Sequence, residues 1–68
     1  MSAYILVFEW PAITKIPART EPLAAGNHED AKLQAALMYA CEPFDHGLPS
    51  RYLIFDGAGG LVFRFPET

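Results

Sequence analysis

The chain has 68 residues, of which 51% are apolar and 19% charged, with a formal net charge of -3. That length admits a single domain, residues 1–68, with a thin core, and a charged fraction below the usual ~25% leaves more apolar side chains than such a core can hold. Cys41 is the lone cysteine, which excludes an internal disulfide; with His28 and His46 it falls short of the roughly four ligands of a closed zinc site, so no metal and no cofactor is expected.

Residues 3–10 read as a strand, rich in β-branched and aromatic side chains and closed by Pro11. Alternation places Tyr4, Leu6, Phe8 and Trp10 on one side and Ala3, Ile5, Val7 and Glu9 on the other. Both sides are largely apolar, which predicts cover on both faces, from the fold or from a partner.

Residues 11–26 are broken by Pro11, Pro17 and Pro22. Residues 13–16 read as a short edge strand at most, because proline cannot donate to a ladder, and the remainder reads as loop. A helix is predicted over residues 27–42, with Asn27 as N-cap, Glu29 and Asp30 complementing the dipole, and Pro43 beyond its end. At 100° per residue, Leu33, Ala36, Leu37, Ala40, Cys41 and Phe44 form one stripe, expected to lie on a sheet, while Lys32, Ala35, Tyr39 and Glu42 face away.

Residues 44–50 form a turn-rich connector, and Arg51–Phe55 is a second clear strand. Residues 56–60, Asp-Gly-Ala-Gly-Gly, read as a hairpin loop into a last strand, Leu61–Phe65. Leu61, Phe63 and Phe65 are expected against the helix, and Val62 and Arg64 on the other side. The predicted fold is α+β: a small two-layer domain in which a three- or four-stranded, largely antiparallel sheet carries one helix across one face, in the order β-(β)-α-β-β.

No residue pattern carries a catalytic signature. Cys41, near a helix C-terminus and on the apolar stripe, reads as a buried structural cysteine. The glycines at 57, 59 and 60 run from strand to strand, whereas a phosphate loop runs into a helix. Asp45, His46 and Arg51 are the candidate ligand site, since polar groups cluster there beside the connectors.

Self-association through the sheet face the helix leaves bare is the expected function: a protein-interaction module, a homodimer without catalysis of its own. The expected contact comprises Ile5, Val7, Tyr52, Ile54, Val62 and Arg64, with edge-to-edge strand pairing as the alternative. Two other readings are a small enzyme or ligand-binding domain with its site between subunits, and single-stranded nucleic-acid binding through aromatic rings on the sheet. The acidic balance and the five scattered Lys and Arg argue against the last. No run of about 18 apolar residues is present to cross a membrane, and the absence of a charged leader predicts a cytoplasmic protein.

Overall fold

The computed structural model describes residues 3–41 and 43–66. Strands β1 (Tyr4–Glu9), β2 (Arg19–Leu23), β3 (Arg51–Phe55) and β4 (Leu61–Phe65) form one antiparallel sheet in the order β2-β1-β3-β4, and helix α1 (His28–Cys41) packs on one face. The expected α+β layering is present, with four strands. A 3-10 turn over Ala12–Thr14 takes the first half of the segment read as a short strand, and β2 lies further on, in sequence read as loop. The proline argument holds at the new place: Pro22 sits in β2, an edge strand.

The core lies between helix and sheet. Tyr4, Leu6 and Phe8 of β1, Leu23 of β2, and Tyr52 and Ile54 of β3 are buried, and Ala25, Ala31 and Ala35 meet them. Phe8 is fully buried; its ring stands edge-on to Phe44 at 4.9 Å and to Tyr52 at 6.2 Å. Tyr52 stacks in turn on Phe65 at 5.2 Å. The sheet thus supplies the bulk of the core as aromatic rings.

That bulk decides how the helix is turned. The stripe expected against the sheet is the one that faces out: Leu33 is 60% exposed and Leu37 56%, and Ala36, Ala40 and Cys41 are also exposed. The opposite face, Ala31 and Ala35 flanked by half-buried Met38 and Tyr39, is the one that packs. The physical reason is volume. A sheet face crowded with rings has room for methyl groups beneath the helix, and leucines there would overpack it. Flanking contacts fix the same rotation: Gln34 Nε2 donates to Ala24 O at 2.6 Å, Tyr39 Oη to Pro49 O at 3.2 Å, His28 meets Tyr4 edge-on at 5.7 Å, and Lys32 Nζ lies 5.4 Å from the Phe63 ring centre. The expected burial of Cys41 is therefore wrong. Of the stripe, Phe44 alone packs against the core, from the connector rather than the helix.

The helix start follows the sequence reading. Asn27 Oδ1 accepts from the Asp30 N–H at 2.8 Å, satisfying one of the free donors of the first turn. Glu42, read as the last helical residue, lies outside the described residues. The β3–β4 hairpin is closed by Asp56, whose Oδ1 accepts from Ala58 N at 3.0 Å and Gly60 N at 2.8 Å, while Gly59 takes the positive φ of 88° that the reversal needs.

Burial pushes the Tyr52 hydroxyl above its ordinary value of 10.0, and the neighbouring Tyr39 adds to the shift. A raised folded value means the neutral phenol is favoured in the native state. That stability is fully present below pH ~10, the unfolded value, and is lost as pH rises through the higher folded value. Tyr52→Phe is expected to remove this alkaline loss, seen as a flatter dependence of the urea midpoint on pH above ~10.

Candidate functional site

Strand alternation sends Ile5, Val7 and Glu9 of β1 and Arg51, Leu53 and Phe55 of β3 to the face opposite the helix. Register brings them side by side: Ile5 pairs with Phe55, Val7 with Leu53, and Glu9 with Arg51. β2 adds Pro22 beside Ile5 and Thr20 beside Val7; β4 adds Arg64 beside Leu53 and Leu61 beside Phe55. The result is an apolar field centred on Ile5, Val7, Leu53 and Phe55, with the Glu9–Arg51 ion pair at one end. These four side chains are half-buried by one another, and among the described residues no helix covers them.

Three of the six expected interface residues stand elsewhere. Tyr52 and Ile54 face the helix and are buried in the core, 4% and 0% exposed. The segment Arg-Tyr-Leu-Ile-Phe is apolar in both parities, so its sequence does not say which pair faces in; pairing with β1 does, and it selects Leu53 and Phe55 for the open side. Val62 is half-buried and packs against the core cluster, at the point where the β3–β4 register shifts beside Ile54 and Phe55. The same irregularity places Leu61 opposite Phe55 and leaves it 54% exposed instead of beneath the helix. Ile5, Val7 and Arg64 lie on the open face as expected.

The candidate ligand residues are divided between two adjoining hollows. Asp45 and His46 line a cleft of about 150 Å³ with Trp10, Ile16, Pro17, Arg19 and Phe44. Its walls are aromatic: Trp10 meets Phe44 edge-on at 5.9 Å and donates from Nε1 to Gly47 O at 3.0 Å, which pins the connector. Arg19 lies 5.7 Å from the Phe44 ring centre and bridges Glu21 at 2.7 Å. Arg51 lines an adjoining hollow with Glu9 and Ala18, which shares Trp10 and Ile16 with that cleft, and is ion-paired to Glu9. Thus the structure does not assemble Asp45, His46 and Arg51 into one site. Among the described residues, no group of three His, Cys, Asp or Glu is placed to hold a metal ion, and no helix is long and apolar enough to cross a membrane.

The aromatic side chains considered for base stacking are likewise distributed. Tyr4, Tyr52, Phe63 and Phe65 belong to the helix side, Trp10 packs against the core with Phe44, and Phe55 is the one aromatic among the open-face residues named above. Comparison with protein-family models, with curated proteins and with solved structures finds no match to this chain.

Proposed function

We propose that the chain is a protein-interaction module without catalysis of its own, which pairs with a second copy of itself through the open face of its sheet. The observation that carries this reading is the apolar field of Ile5, Val7, Leu53 and Phe55, left bare in a domain whose helix is already committed to the other side. With strands ~4.8 Å apart and rising ~3.4 Å per residue, the whole face of four strands of about five residues measures about 300 Å², and the apolar field takes its centre. Patches of a few hundred Å² on a small protein mark contact surfaces.

A second copy fits because the face is self-complementary. With a two-fold axis parallel to the strands, β1 of one copy lies over β3 of the other, so Ile5 and Val7 meet Phe55 and Leu53. Arg64 then lies over Thr20 of the second copy, whose hydroxyl can accept from it, and no like charges oppose. Aligned sheet packing of this kind is the ordinary solution for two apolar sheet faces.

Leu53→Glu tests the reading. The new carboxylate stands opposite Arg64 on the same face, a favourable cross-strand pair that helps preserve the fold. At the centre of a dimer contact it is buried, and a loss of 2 kcal/mol or more at such a position weakens association roughly 30-fold. The expected result is that weakening by sedimentation equilibrium, with unchanged circular dichroism. An unaltered association constant would sink the open-face contact.

A further inference from the structure

The cleft between Trp10 and the connector is built from parts that are each held in place. Trp10 and Phe44 stand at 75° to one another, so their rings form two walls of a corner. Trp10 is pinned by its bond to Gly47 O, and Phe44 by its edge-on contact with the buried Phe8 ring at 4.9 Å. Ile16 and Pro17 add aliphatic surface, and Asp45 and His46 bring polar groups. Arg19 reaches the cleft from β2, where it stands opposite Phe8 and so on the helix side of the sheet. The volume of about 150 Å³ holds one group the size of a benzene ring.

Charge decides what that group carries. Arg19 is neutralised by Glu21 at 2.7 Å, and Arg51 in the adjoining hollow by Glu9. Asp45 forms no ion pair with any described residue, so its carboxylate is the one uncompensated formal charge lining the two hollows. The chain as a whole stands at -3, which draws cations toward it. Among the described residues no three ligating groups converge, so a metal ion is poorly served. An organic cation is well served, because aromatic faces attract it; Arg19, 5.7 Å from the Phe44 ring centre, already makes such a contact within the chain. We propose that this cleft binds the quaternary ammonium head of a small molecule, with Trp10 and Phe44 as walls and the Asp45 carboxylate beside the charge. The site lies on the helix side of the sheet and uses none of the open-face residues Ile5, Val7, Leu53 and Phe55, so it goes beyond self-association and does not depend on it.

Trp10 is the chain's single tryptophan, so its indole N–H gives one nuclear magnetic resonance signal that reports on the cleft. The probe is choline, set against its neutral isostere with carbon in place of nitrogen, at constant ionic strength. Choline is expected to shift the signal saturably. The isostere is expected to bind about tenfold more weakly or worse, since it lacks the attraction to rings and carboxylate. Asp45→Asn is expected to weaken choline about tenfold and to leave the isostere unchanged. The Asp45 side chain bonds to no described residue, so the fold does not rest on it. Leu53→Glu is expected to leave choline binding as it is, which separates failure of the cleft from failure of the open-face contact. Vesicles of phosphatidylcholine alone form the second arm. Binding of choline with the vesicles ignored assigns the site to a small solute, whereas protein carried down with the vesicles and released by choline assigns the same head group to a lipid. A Trp10 signal that moves without saturation up to about 10 mM choline, or that answers the isostere equally, overturns the proposal.

Discussion

Phe8→Ala is expected to lower the stability of the fold by about 3–5 kcal/mol, the range for deleting a fully buried aromatic ring. Phe8 has no exposed surface, and it is the point where two groups of rings meet: Phe44 and Trp10 at one end of the sheet, Tyr52 with Phe63 and Phe65 at the other. Removing it leaves Phe44, which comes from a connector, without its main support. Domains of this size hold only about 5–15 kcal/mol in total, and the small ones lie near the bottom of that range. A large unfolded fraction at 25 °C by circular dichroism is therefore the predicted outcome, and a loss below about 1 kcal/mol would mean the ring cluster is not the core.

Ala35→Leu and Leu33→Ala are expected to act against intuition. Ala35 is fully buried beneath the helix and Leu33 is 60% exposed on its outer side. Enlarging Ala35 forces three extra carbons between the helix and the rings of β1 and β3, an overpacking cost of about 1–3 kcal/mol. Shrinking Leu33 removes little buried area and installs the best helix former, so its effect on the isolated fold is within about 0.5 kcal/mol. Urea denaturation of the two variants in parallel reads this directly. The opposite ranking would return the Leu33–Leu37 stripe to the sheet.

The helix shows why its orientation was not legible. Its two long faces are both apolar: leucines, alanines and a cysteine on one, alanines, Met38 and Tyr39 on the other. Periodicity favours the larger side chains, but packing chose the smaller ones, because the available space was set by Tyr4, Tyr52, Phe63 and Phe65 on a different part of the chain. No local pattern contains that information. β2 was missed for a related reason. Arg-Thr-Glu-Pro-Leu has the composition of a loop, and it is a strand because pairing with β1 satisfies its backbone at an edge where charge and proline are tolerated. By contrast β1, β3, β4, the Asp56–Gly60 hairpin and the Asn27 cap depend on local chemistry and were readable.

The candidate surface divides the same way. Ile5, Val7 and Arg64 were placed correctly from alternation alone. Tyr52 and Ile54 were not, since β3 is apolar in both parities and only its register with β1 distinguishes them. Val62 was lost to a one-residue irregularity in the hairpin, which no residue type in Leu61–Phe65 announces. The ligand set divides because Arg51 opens β3 and is held by Glu9 on the open face, while Asp45 and His46 remain with the connector that Trp10 holds.

Bare apolar surface remains on the open sheet face, on the β4 edge and on the outer side of α1, and the central claim is that the chain covers some of it with copies of itself. The most direct test is the solution mass of the unmodified protein by light scattering from nanomolar to millimolar concentration. The account predicts a mass that climbs with concentration from the 7.5 kDa of one chain to a plateau at twice that value. A mass of 7.5 kDa throughout that range would contradict it.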